Sequence, residues 1–292
     1  MTPRNIAVFA AGLLLAQSLT TCPAHGQGKE VRLVTLAYTH GFASKDNGVK
    51  LHLRFNEDEK PGDRPVFLWP ISATNPTWVI VPEFSADLGN ADDVAPNNIV
   101  GNVRFETARA EAQRRLVAWH LGPQWNAARD FRTSLLLVGG GITYDWFNRP
   151  TAEKGLIVAL ELSFRADVGP RFNKGNGTTP VTFRATPTGL LTLEHSWSRF
   201  AGSLTGSGKL FAFANDDFQV DSTTRYRDRV LGVWSIALEF RPQAPDPVDS
   251  QKPHKWPLAF VAKYTNGRAP PAFKKQNTLE LGGRLYWSPP VP

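Results

Sequence analysis

Residues 277–287 read NTLELGGRLYW, and taking every second residue sorts most of them into two sets. Leu279, Leu281, Gly283, Leu285 and Trp287 form one set; Thr278, Glu280, Gly282, Arg284 and Tyr286 form the other. Successive side chains of an extended strand point to opposite faces, so this stretch has one apolar face and one face that carries charge. The pattern recurs upstream. TSLLLVGGGITYDWF puts Leu136, Val138, Gly140, Ile142, Tyr144 and Trp146 on one face. GLIVALELSFRADV sets Leu156, Val158, Leu160, Leu162 and Phe164 against Glu161, Ser163, Arg165 and Asp167. RVLGVWSIALEFR sets Val230, Gly232, Trp234, Ile236, Leu238 and Phe240 against Ser235, Ala237, Glu239 and Arg241.

Between these runs lie turn-forming segments rich in Gly, Pro, Asn and Asp, such as GPRFNKGNGTTP, AGSLTGSG and RPQAPDPVDSQKPHK. The pattern predicts strands near 132–146, 155–168, 181–199, 208–220, 226–241, 256–266 and 276–287, the third able to split into a hairpin at Thr186–Gly189. Five weaker strands are expected near 31–39, 48–55, 76–84, 99–107 and 114–121. The last of these overlaps ETARAEAQRRLVAWHL, which also reads as a short helix capped by Thr107.

Strands of about 10–15 residues exceed the 5–6 usual in globular sheets. They match the 9–11 residues that a strand tilted by about 45° needs to cross hydrocarbon. In lipid every backbone polar group must find a partner within the protein, so such strands are tolerated only in a closed barrel. The apolar faces then meet lipid. Glu161, Arg165, Glu239, Arg241, Lys263, Glu280 and Arg284 fall on the other face and are the candidate lumen-lining residues. On this reading an arginine at Leu281 is expected to damage insertion far more than one at Gly282. Trp78, Trp146, Trp197, Trp256 and Trp287 lie near strand ends, where an amphipathic ring favours the membrane–water boundary.

The N-terminus, MTPRNIAVFAAGLLLAQSLTTCPAHGQG, has a basic Arg4, an apolar run from Ile6 to Leu15, and small residues at Ala24 and Gly26. This is the layout of a secretory signal peptide over residues 1–26, leaving 27–292 as a single barrel domain. Cys22 is the one cysteine, so cleavage after Gly26 leaves a chain without disulfides. The net charge of +7 falls to +6 when Arg4 is lost with the leader. Basic residues are scattered, which argues against nucleic-acid binding and for a mildly cationic interior.

The last stretch, YTNGRAPPAFKKQNTLELGGRLYW, resembles the closing hairpin of Gram-negative outer-membrane β-barrel proteins, with a Gly/Pro-rich loop and a final alternating strand ending in an aromatic residue. Members of that group usually end on the aromatic; here Ser288–Pro292 follow. The resemblance implies an all-β fold, a closed antiparallel transmembrane β-barrel of about twelve strands. It also implies export to the bacterial outer membrane, with outer-membrane lipid and the barrel-assembly machinery as partners.

No catalytic or cofactor constellation emerges. In LTLEHSWSRF, His195 and Ser196 are adjacent and point to opposite faces, so they cannot form a nucleophile–base pair; a boundary histidine beside Trp197 is the simpler reading. Asn266-Gly267 in YTNGR reads as a loop turn. Gly139–Gly141 lie inside a strand and suit a close contact in a barrel wall. NEDEKPGD, residues 56–63, reads as a solvated loop, and the six histidines lack metal-site spacing. The expected function is a non-enzymatic, porin-like channel for small solutes, mildly anion-selective, with Arg241 and Arg284 contributing to the field. The alternatives are a plugged barrel with a structural or adhesive envelope role, and a secreted soluble β-sandwich that binds a ligand.

Overall fold

The computed structural model describes residues 31–42, 44–56, 69–71, 78–90, 98–107, 110–112, 115–128, 133–148, 156–173, 181–197, 199–214, 218–219, 225–226, 230–245, 253–255, 257–270, 273 and 275–287. Twelve long strands follow one another in chain order: β1 (Val31–Gly41), β2 (Asn47–Phe55), β3 (Trp78–Gly89), β4 (Asn98–Thr107), β5 (Arg115–Ala128) and β6 (Thr133–Phe147). The second half comprises β7 (Ile157–Asn173), β8 (Val181–Ser196), β9 (Phe200–Phe213), β10 (Val230–Pro245), β11 (Leu258–Arg268) and β12 (Lys275–Trp287). Each pairs antiparallel with its neighbour in sequence, and β1 pairs antiparallel with β12 from Val31↔Trp287 to Gly41↔Thr278. The hydrogen-bonded ring is closed. No edge strand of the twelve is left to satisfy, which is the condition lipid imposes.

The two faces of the wall have the inverse of a water-soluble protein's polarity. Large apolar side chains stand exposed on the outside of every strand, among them Leu36, Val49, Trp78, Val103, Trp119, Val138, Leu162, Phe183, Leu204, Leu238, Phe260 and Leu281. Lys50, His52, Glu106, Asp145, Asp167, Arg184, Glu239, Arg241 and Glu280 are buried on the inside. A soluble sandwich would bury the first group and expose the second. The alternation read from NTLELGGRLYW holds: Leu281 is 50% exposed and Glu280 only 4%.

Of the five tryptophans expected at strand ends, Trp78 opens β3, Trp146 is the penultimate residue of β6, and Trp197 directly follows β8. Trp256 and the side chain of Trp287 lie outside the described residues, as do the leader, Cys22 and residues 57–63 of the acidic loop.

Four local expectations are corrected. The strand expected at 208–220 is instead Phe200–Phe213, because AGSLTGSG is held extended by pairing on both edges, to β8 and to β10. The Thr186–Gly189 segment does not turn; it pairs continuously with Arg165–Leu162, and the ladder to β9 is interrupted only beside Pro187, which has no N–H to give. The helix reading of 106–121 is overturned, since Ala110–Ala112 forms a hairpin extension against Arg115–Val117 and Val117, Trp119 and Leu121 continue outward at period two. Asn266-Gly267 is not a turn but the end of β11, paired with Asn277 and Gln276.

Close backbone approach explains several inward glycines. A Cβ at Gly139 or Gly141 would lie 2.1 Å from a carbonyl oxygen of β7, so only glycine fits that part of the wall.

Candidate functional site: the barrel interior

Strand β2 supplies the clearest start. In VKLHLRF, residues 49–55, Lys50, His52 and Arg54 recur at period two and all face inward. Lys50 donates to Glu280 of β12 at 3.0 Å. His52 lies between two carboxylates, with Nε2 3.0 Å from Glu280 and Nδ1 2.8 Å from Asp87 of β3. Arg54 reaches the same Asp87 at 2.7 Å. Lys263 of β11 faces Glu280 across the strand pair. A ladder of alternating charge thus runs around one side of the wall.

Three further networks occupy other sectors. Arg104 of β4 pairs with Glu83 at 2.5 Å and Glu106 at 3.4 Å, and Asn102 donates to Glu83 at 2.7 Å. Asp167 of β7, its side chain wholly buried, accepts from Arg165 at 2.6 Å and from Arg184 of β8 at 2.9 Å. Arg184 also donates to Gln124, and Arg165 to the carbonyl of Gly122. Glu239 of β10 accepts from Arg284 at 2.7 Å and from the hydroxyl of Tyr286, while the Arg241 guanidinium lies 4.1 Å from the centre of the Tyr286 ring. A buried charge without its partner is costly, so each network is a way of keeping ions inside a wall whose outer face is apolar.

The wall from β8 to β10 is different in kind. Thr192 and Thr205 share a hydrogen bond of 3.1 Å, and Ser207 and Ser235 one of 2.8 Å. Between this hydroxyl-lined wall and the charged one lies a cavity of about 190 Å³, whose lining includes Glu83, Arg104, His120, Glu161, Arg165 and Lys209. Lys209 is exposed into it. Its cross-strand neighbours are Thr188 and Val233, neither of them acidic, and no ion pair joins it to a carboxylate among the described residues.

All seven residues singled out from the sequence lie on inward positions, but not as one site. Glu161 and Arg165 border the cavity; Glu239, Arg241 and Arg284 form the aromatic-backed network; Lys263 and Glu280 belong to the ladder on the β2 side. Sequence reasoning passed over Lys50, His52, Arg54, Asp87, Arg184 and Lys209. The first three were available from the alternation in VKLHLRF. Lys209 falls at the very start of the strand expected near 208–220, next to glycines that read as a turn.

His195 is on the outer face with its ring edge-on to Trp197 at 4.3 Å. Among the described residues no group of His, Cys, Asp and Glu converges in a way that could hold a metal ion. Among the described residues no helix is long and apolar enough to cross a membrane, which says nothing against crossing by strands.

No family model matches the chain, and no curated protein matches it. Among solved structures, a NanC porin from a rhombohedral crystal form is 11% identical, with 86% of this chain and 98% of that one covered and a TM-score of 0.46. A second, from work on the in-meso crystallization of membrane proteins, is 10% identical, with 87% and 83% covered and a TM-score of 0.30. The closed ring of twelve strands, polar within and apolar without, is itself the architecture of outer-membrane β-barrels.

Proposed function

We propose that this chain is a bacterial outer-membrane barrel through which small polar solutes pass by diffusion, with a mild preference for anions. The observation that carries the reading is the polar cavity inside the closed ring, bordered by Lys209. The neighbouring cations Arg104 and Arg165 already have carboxylate partners, which leaves Lys209 to act on whatever enters. Low-dielectric walls focus such a field, so one unneutralised charge in a narrow lumen biases permeation. In this account the exported chain meets the barrel-assembly machinery through its final strand, and outer-membrane lipid covers the apolar face.

In this account Lys209, rather than Arg241 and Arg284, carries the selectivity. Arg284 is tied to Glu239 and Arg241 is stacked on Tyr286, so reversing either charge would disrupt a packed network as well as the field. The test is the reversal potential across a planar bilayer under a salt gradient, for the wild type and Lys209→Glu. Anion preference that is lost or inverted in the variant, and that fades as salt screens the lumen, is the expected result. A cation-selective wild type, or a variant indistinguishable from it, refutes the electrostatic reading.

The ion-pair networks and an apolar cluster at one end favour a second reading, a filled barrel with a structural role in the envelope. Absence of conductance in the wild type, in Lys209→Glu and in variants that truncate the apolar cluster would favour it.

A further inference from the structure

At one end of the barrel interior apolar side chains pack together beside buried Arg171, Asn126 and Arg184, the cross-strand neighbours of Leu135 and Phe213. Leu135 and Leu137 of β6, Phe211 and Phe213 of β9, Leu231 of β10, and Phe273 from the segment joining β11 to β12 form one buried cluster. In a ring of twelve, β6 and β12 are six strands apart in either direction. A packed cluster that includes both β6 and the β11–β12 connection therefore extends across the bore rather than along one wall.

Phe273 is its centre. The side chain is 0% exposed and meets the rings of Phe211 and Phe213 edge-to-face, each at 5.4 Å between centroids. Its backbone has φ +53°, a left-handed conformation that a bulky residue adopts only where its surroundings enforce it. Two hydrogen bonds brace the position: its N–H donates to the Ala269 carbonyl at 2.9 Å, and its carbonyl accepts from Arg268 at 3.2 Å. Arg184, the cross-strand neighbour of Phe213, holds its guanidinium 5.9 Å from the Phe211 ring centre, so a charged side chain borders the aromatic packing directly. Apolar constrictions of this kind exclude water and ions by dewetting.

We propose that Phe273 is the residue that closes the bore, its ring seated against Phe211 and Phe213, and that solutes pass only when this seat is empty. The inference rests on the diffusion reading above. It adds that an apolar closure sets how often the bore is open, while the charged lining biases which solutes pass once it is.

The experiment is single-channel recording in planar bilayers on wild type, Phe273→Ala, Phe273→Leu and, from β9, Phe213→Ala. Each variant is first checked for the heat-dependent gel shift of a folded barrel. The wild type should be predominantly closed. Phe273→Ala should raise open probability about tenfold or more, since truncating a packed Phe to Ala shifts a conformational equilibrium by at least that factor. Phe213→Ala should act in the same direction, and Phe273→Leu, which keeps an apolar plug, should stay near wild type. A wild type that conducts freely, with Phe273→Ala and Phe213→Ala unchanged, overturns the closure and leaves the diffusion reading standing. Folded alanine variants that are as silent as the wild type overturn the diffusion reading itself, and the closure with it.

Discussion

Gly206 offers a clean test of which face meets lipid. It is the seventh of the fourteen residues of β9 and sits directly between Leu191 of β8 and Ile236 of β10, both exposed on the outer wall. A Cβ added there would meet nothing within 4 Å, so a larger side chain carries no steric penalty. Arginine at Gly206 therefore reports the cost of a charge near mid-bilayer, about 2–4 kcal/mol. Ser207, one residue on, faces the lumen, and its hydroxyl shares a hydrogen bond of 2.8 Å with that of Ser235. Arginine there loses one hydrogen bond worth about 1 kcal/mol but keeps its charge in a polar interior. Taking Gly206→Ala as the reference for lost glycine freedom, Gly206→Arg should be less stable than Ser207→Arg by about 1–3 kcal/mol, the difference of those two costs. The assay is urea-dependent folding into lipid vesicles, followed by the heat-dependent gel shift. Equal midpoints, or a greater loss at Ser207, would mean that the faces are inverted or that the outer wall does not meet lipid.

Replacing Asp167 by Asn leaves Arg165 and Arg184 without their shared carboxylate in a buried setting, and should cost about 3–5 kcal/mol in the same folding assay; a loss below about 1 kcal/mol, the usual value of an exposed pair, would show that water solvates this part of the lumen. Gly282→Ala should also be destabilising, by about 1–3 kcal/mol, because a Cβ there would lie 2.1 Å from the Leu36 carbonyl oxygen. The contact adds a steric cost to an arginine at Gly282 and so narrows the margin by which one at Leu281 should do more harm, and a Gly282→Ala midpoint equal to wild type would show that β1 and β12 lie further apart than the ring requires.

Period-two alternation made the architecture legible, because a barrel wall between lipid and lumen imposes opposite chemistry on successive residues. Leu156–Val168 and Val230–Arg241 show this plainly. Where the outer face uses glycine instead of large apolar residues, as at Gly202, Gly206 and Gly208, the strand looks like a turn, and only hydrogen bonds from β8 and β10 keep it extended. The interior was legible in sign but not in partnership. Nothing local tells that Lys50 and Glu280, 230 residues apart, meet across β1, or that Asp167 is shared by two arginines. The Phe273 cluster was the least readable feature, since it packs a connecting segment against β9, with residues of β6 and β10 in the same cluster, inside a ring that exists only once β1 has closed on β12.

The central claim, a lipid-facing outer wall around a polar interior, is tested most directly by nitroxide labels placed one at a time along β10 in the vesicle-inserted protein. Collision with dissolved oxygen reports hydrocarbon, and collision with a water-soluble nickel chelate reports aqueous exposure. Labels at Trp234, Ile236 and Leu238 should show high oxygen and low chelate accessibility, with those at Ser235, Ala237 and Glu239 low for oxygen, so that the two profiles alternate with a period of two residues. Chelate accessibility at Trp234, Ile236 and Leu238 equal to that of an exposed loop position such as Ser44 would place the apolar wall in water and contradict the account.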